Sequence, residues 1–233
     1  MESNVSNISA LARTALSSML DSRFFVEAAQ PKVQNGQLYP DEQAYIIKAA
    51  QKRQAEFGTA RVCARKALTG LGAAPCSLLP NADRSPRWPT GFLGSISHTD
   101  DCCAVAVTKS RGVAGLGIDI EPETPLAPEL EEQICTANER SWLSLHSTSD
   151  RTRLGTLLFS AKEAVYKCQY TVTGSFLDFK DVELEVDIGR CTFSVADLHL
   201  NKGLWRETIM RLQGQFRQMP CLIVTASILE IEE

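Results

Sequence analysis

Two links near the middle of the chain are very short: Thr99-Asp100-Asp101 and Lys109-Ser110-Arg111-Gly112. They join three short apolar runs, Gly94–Ser97, Cys103–Val107 and Val113–Ile120. Links of this length suit antiparallel strands. Upstream, a helical pattern runs from Asp41 to Leu71, with Asp41 as a cap after Pro40. Phe57, Ala60, Ala64, Ala67, Leu68 and Leu71 recur along it at helical spacing and should face a core. Gly70 and Gly72 end it, and the stretch 72–92, with Pro75, Pro80, Pro86 and Pro89, reads as a long connection. Beyond the proline-rich PETPLAP segment the order restarts. Helical stretches near Glu129–Leu145 and Arg151–Tyr170 precede strand-like runs at Val182–Val186, Thr192–Val195, Leu204–Leu212 and Cys221–Leu229. Each half therefore reads as helix and then strands, an α+β class. A break near residues 110–125 gives subdomains 1–112 and 113–233, with no visible repeat between them. Residues 1–40 are poorly patterned, and Pro31, NGQ and YPD read as loop.

A chain of 233 residues, 44% hydrophobic, can bury one sizeable core or two small ones. Its net charge of -4 argues against a general nucleic-acid binder while leaving room for a local basic pocket. The 8 cysteines show no Cys-x-x-Cys pair and no zinc spacing. No basic start followed by an apolar block suggests a signal peptide. No apolar run reaches the roughly 18 residues of a spanning helix. A reduced, cytoplasmic chain with free, packed thiols is the expectation.

Four segments carry candidate chemistry. In Gly117-Ile118-Asp119-Ile120-Glu121 the two acids lie two apart, on one face of a strand. Paired carboxylates repel unless a cation sits between them, and hard oxygen ligands suit Mg²⁺. Taken alone, the pair is better read as solvated acids leaving a strand. In Phe159-Ser160-Ala161-Lys162-Glu163-Ala164-Val165-Tyr166-Lys167, Glu163 and Lys167 share a helix face. An ordinary surface ion pair is the plain alternative, although the apolar flanks argue for partial burial. In Gly94-Ser95-Ile96-Ser97-His98, Ser97 and His98 could donate to phosphate. As strand neighbours they face opposite ways, which disfavours a nucleophile–base pair. The basic set is Arg53, Arg61 and Arg65 on the helix and Arg84 and Arg87 beyond it. For Arg65 and Arg87 a solvated face is the better reading.

In order along the chain, KRQAEFGTARVCARKAL, ADRSPRWPTGFLGSISH, GIDIE and FSAKEAVYK resemble the signature of the 4′-phosphopantetheinyl transferases. The likeness is to the long, monomeric branch, closest to the enterobactin-synthetase component D type and related to the surfactin-synthetase type. It runs from about Lys52 to Asp187. It implies two similar subdomains related by a pseudo-twofold, with coenzyme A in the cleft between them. It implies Asp119, Glu121 and Glu163 as ligands of Mg²⁺ or Mn²⁺, with water completing the shell beside Ile120. It implies Arg53, Arg61, Arg84, Ser97, His98, Lys162 and Lys167 as coenzyme A contacts.

The implied reaction moves the 4′-phosphopantetheine arm of coenzyme A onto a serine of an apo acyl or peptidyl carrier protein, releasing 3′,5′-ADP. Lys162 and Lys167 would stabilise charge on the pyrophosphate and leaving group. Glu163, or a water on the cation beside it, would accept the serine proton. Carriers of siderophore or other secondary-metabolite assembly fall within this class. The rival readings are a metal-dependent phosphohydrolase or nuclease using the same carboxylates, and a non-catalytic binder of coenzyme A or carrier protein.

Overall fold

The computed structural model describes residues 2–34, 36–199 and 205–231, with side chains from residue 8 on. The chain divides into two compact units, Met1–Arg111 and Gly112–Glu233. Each packs helices on an antiparallel sheet around its own buried cluster, which is the expected α+β class.

The first unit contains α1 (Glu2–Met19), β1 (Phe24–Ala29), α2 (Pro40–Ile46), α3 (Gln51–Gly70), β2 (Phe92–His98) and β3 (Cys103–Lys109). Its sheet has the order β1-β3-β2, antiparallel throughout. Central strand β3 is buried on both faces from Cys103 to Thr108, which explains its unalternating apolar sequence. Ala60, Ala64, Ala67 and Leu68 of α3 pack on Cys103, Val105 and Val107.

Two features here depart from the sequence reading. The first forty residues, which show little pattern in the sequence, supply α1 and β1, and β1 covers the open edge of β3. The helix expected from Asp41 to Leu71 is broken at residues 47–50. No glycine or proline marks the break. The Gln54 side chain holds it, donating to the carbonyls of Ile47 at 3.2 Å and Ala49 at 2.8 Å.

The second unit contains β4 (Val113–Pro122), α4 (Pro128–Ile134), α5 (Ala137–Leu143), α6 (Thr148–Thr173), a 3-10 turn at Phe179–Asp181, β5 (Val182–Asp187), β6 (Thr192–Leu198), α7 (Arg206–Met210), β7 (Gln213–Met219) and β8 (Leu222–Glu230). Its sheet runs β4-β8-β7-β6-β5, antiparallel at every pairing. The Lys109–Gly112 link is therefore not a hairpin. It carries the chain out of the first sheet, and β4 pairs with the C-terminal strand β8. Residues 206–210 form a helical turn where a strand was expected, and Leu204 of that expectation lies outside the described residues. Among the described residues, no helix is long and apolar enough to cross a membrane.

Candidate functional site

Helix α6 starts at Ser147, whose hydroxyl accepts from the Asp150 N–H, and stops at Gly174 in the left-handed region (φ 58°). Between these caps it lies directly on β4. Gly115 and Gly117 make that approach possible. A Cβ at Gly117 would stand 1.9 Å from the Ala164 carbonyl oxygen, and one at Gly115 would stand 2.5 Å from that of Cys168. Residues two apart on a strand share a face. The side that is bare at 115 and 117 therefore carries Asp119 and Glu121 further along, beside the turn of α6 that bears Glu163 and Lys167. Thr225, opposite Asp119 on β8, ties the same assembly to α6 by donating to the Ser160 carbonyl at 3.0 Å.

Lys167 is the cation of this cluster. Its ammonium donates to Asp119 Oδ1 at 2.7 Å and to the Ile118 carbonyl at 3.2 Å, and lies 3.9 Å from Glu163 Oε2. Two acids thus share one ammonium, and Glu121 feels its charge. Burial, reinforced by the Asp119 charge, pushes the Glu121 carboxyl up to about 7, with Lys167 opposing and Glu163 adding. Burial raises Glu163 as well, against the pull of Lys167. Among the described residues, no three carboxylate, thiol or imidazole groups close a metal site by themselves. Mg²⁺ seldom needs that. It binds through one or two carboxylates, water and substrate phosphate. A partly buried acid cluster with an excess of negative charge suits such a hard dication by donor chemistry and by field.

Lys162, one residue before Glu163, faces elsewhere. It is buried, with its ammonium donating to the carbonyls of Ile134 at 2.9 Å and Phe179 at 2.7 Å and paired with Glu139 Oε2 at 2.7 Å. All three N–H bonds have acceptors inside the protein. The ammonium expected on phosphate is held here by three internal acceptors, although the residue also borders a cavity. Glu139 itself was overlooked. The capping-box pattern Thr136-Ala137-Asn138-Glu139 was its available signal. Along the same stretch of α6 runs this cavity of about 690 Å³, with Tyr166, Phe176, Leu177 and Phe179 as its apolar wall and Lys162, Glu163, Asp178 and Lys180 on its polar border.

In the first unit the structure gathers Arg53 and His98 about Glu56. Glu56 Oε2 lies 3.5 Å from Arg53 Nη1 and 3.9 Å from His98 Nε2. Ser97 is buried on β2 while His98 is turned outward, as strand alternation requires. Arg61 is buried, its guanidinium 4.0 Å from the Phe57 ring centroid and its Nε donating to the Leu78 carbonyl. Desolvation lowers its pKa to about 10, against the pull of Glu42. Arg84 stands exposed in the loop after Asn81 with φ at 71°. Arg65 is no solvated residue: it makes bonds of 2.7 Å to both oxygens of the fully buried Glu42. Arg87 donates to the Asn81 side chain, still on an exposed face.

Residues 41–108 match the 4′-phosphopantetheinyl transferase N-terminal domain, and residues 115–208 match the 4′-phosphopantetheinyl transferase superfamily. The chain belongs to the 4′-phosphopantetheinyl transferase superfamily of enzymes. It is 38% identical to the 4′-phosphopantetheinyl transferase Svp of Streptomyces mobaraensis, over 81% of this chain and 77% of that one. It is 31% identical to PptT of Mycobacterium tuberculosis, over 82% and 85%. Enterobactin synthase component D of Salmonella typhi is 36% identical over 51% of this chain and 49% of its own. These relatives place it on the long branch of the family.

Proposed function

We propose that this protein transfers the 4′-phosphopantetheine arm of coenzyme A to a serine of an apo acyl or peptidyl carrier protein. The supporting observation is the electrostatic coupling of Asp119, Glu121 and Glu163 around the Lys167 ammonium, beside a cavity with one aromatic wall. Asp119, Glu121 and Glu163 would hold a Mg²⁺ ion, with Mn²⁺ as the alternative, and the ion would supply Lewis-acid neutralisation of the pyrophosphate. The serine oxygen attacks the β-phosphorus, a new P–O bond forms, and the P–O bond to 3′,5′-ADP breaks. Glu163, whose carboxyl burial already biases toward holding a proton, accepts the serine proton. Lys167, paired with Asp119, would offset charge on the leaving phosphate.

The apolar walls of the cavity next to Glu163 suit the uncharged pantetheine arm. Arg53, Arg61, Arg84, Ser97 and His98 are the proposed phosphate and nucleotide contacts. A cytoplasmic, monomeric enzyme serving siderophore or other secondary-metabolite carriers completes the reading, in line with the enterobactin synthase relatives.

The test is direct. The protein, coenzyme A, Mg²⁺ and an apo carrier protein are incubated and the carrier is weighed. A gain of one phosphopantetheine mass, abolished by EDTA, is the expected outcome. No gain across several carriers overturns the proposal. Glu163→Gln, assayed separately for coenzyme A binding and transfer, should keep the first and lose the second by roughly a hundredfold or more. Full transfer by this variant would remove Glu163 from both of its roles.

A further inference from the structure

The buried network around Lys162 joins five pieces of the second unit. Glu139 Oε1 accepts the Leu184 N–H at 2.8 Å, and Oε2 accepts the Thr136 N–H at 2.7 Å and the Lys162 ammonium at 2.7 Å. Lys162 adds the carbonyls of Ile134, at the end of α4, and Phe179, in the 3-10 turn. One ion pair therefore clamps α4, α5, α6, the 3-10 turn and β5 together. Its side chains are only 2% and 1% exposed, so although Lys162 borders the cavity, its ammonium is engaged by three internal acceptors. The clamp also has a direction. On one side Lys162 adjoins Glu163. On the other it grips Phe179, whose ring packs on Phe159 at 5.6 Å between centroids and walls the cavity.

We propose that Lys162 and Glu139 form a positioning pair. They fix the cavity wall at Phe179 against the turn of α6 that carries Glu163, and Lys162 does not contact coenzyme A. The proposal rests on the transferase reading for its kinetic consequence, but not for its structural one. Stability alone is a poor reason to keep such a pair, because a buried ion pair often adds little over a packed apolar one. Placement is a better one, because an error of about 1 Å in a reacting group can cost on the order of a hundredfold in rate.

The experiment uses the full-length protein with Lys162→Met, Glu139→Gln and the double variant. Steady-state kinetics on an apo carrier are joined to binding of 3′,5′-ADP and to hydrogen exchange of residues 176–181. The expected result is a kcat lowered roughly ten- to a hundredfold in both single variants. The KM for coenzyme A and the affinity for 3′,5′-ADP should stay within about twofold, since no phosphate contact is lost. The double variant should be no slower than the slower single, because the two residues act as one unit. Exchange at 176–181 should quicken while β7 stays protected.

If Lys162→Met weakens 3′,5′-ADP binding and Glu139→Gln does not, Lys162 touches the coenzyme and the proposal is overturned. If the variants melt earlier yet keep wild-type kcat when folded, the pair is only structural, which overturns it equally. Should a single variant fail to fold, the double variant, free of an unpaired buried charge, carries the same decision. A wild-type protein that modifies no carrier sinks the transferase reading instead, and the exchange comparison still decides whether the pair holds the wall.

Discussion

Lys167 carries more of the site than its spacing from Glu163 suggests. A surface pair four residues apart on a helix contributes well under ~1 kcal/mol. Here the stronger partner is Asp119, 4% exposed and 48 positions away in the chain, at 2.7 Å. Lys167→Met should therefore destabilise the protein by about 1.5–3 kcal/mol in urea unfolding, the range for a hydrogen bond to a charged group. Adding Asp119→Asn should recover part of that loss, since it removes the acid left uncompensated. Transfer should fall by at least about a hundredfold in Lys167→Met, measured by carrier mass against time. At this scale the sequence was legible where chemistry repeats a short spacing, as in Asp119 with Glu121 and Glu163 with Lys167. It was not legible for Lys162. Its neighbour Glu163 faces the acid cluster, but one step round the helix turns the Lys162 ammonium inward to Glu139, and only tertiary packing reveals that partner.

Between elements, the decisive contact is α6 on β4. The sequence reading took Gly117 merely as the start of GIDIE, whereas Gly115 and Gly117 are the reason a helix can reach that strand at all. Gly117→Ala would force a methyl to 1.9 Å from the Ala164 carbonyl oxygen and to 2.7 Å from the Cys168 nitrogen, both backbone atoms that cannot swing aside. We expect a loss of about 3 kcal/mol or more in denaturant midpoint analysis, at the upper end of overpacking costs, with transfer impaired even in the folded fraction. Gly155→Ala, in the same helix, meets only the flexible Leu126 side chain at 3.4 Å. It should be neutral or stabilise by up to about 1 kcal/mol, the helix-propensity gain. Helix α6 and most strands of the second half were legible from periodicity, whereas α4 and α5 read as one stretch and α7 as a strand. The pairing of β4 with β8 was not legible, because a four-residue link that usually makes a hairpin here leads out of its sheet. β1 was missed for a related reason: its pattern, Phe-Phe-Val-Glu-Ala-Ala, makes sense only as the edge partner of a strand 79 positions downstream, from Phe24 to Cys103.

Across the whole chain, the eight cysteines report on both units at once, because each unit buries its own set. Cys63, Cys102 and Cys103 lie in the first core and Cys135 and Cys168 in the second, whereas Cys221 is exposed. All are free thiols. Burial drives the five core thiols upward from the ordinary value of 9.0: Cys63 and Cys102 to about 11, Cys135 and Cys168 to about 12, and Cys103 well above it. A folded pKa above the unfolded one means that, between the two, the native state binds more protons than the unfolded state. Stability must then fall as pH rises through 9, while below 9 these thiols contribute no slope. Urea midpoints should accordingly drop between pH 8.5 and 10.5, and replacing Cys135 and Cys168 by alanine or serine should flatten that drop. Native labelling with a thiol reagent at pH 8 should modify Cys221 first, with Cys76 and Cys191 slower. The five core thiols should react only as their unit opens. Peptide mapping of the labelled core thiols then separates the two halves. Cys63, Cys102 and Cys103 appearing at lower urea than Cys135 and Cys168 would mean that the two cores unfold separately. Simultaneous appearance would mean that they unfold as one. Rapid native labelling of Cys103 or Cys168 would contradict the packing of β3 or of α6 on β4.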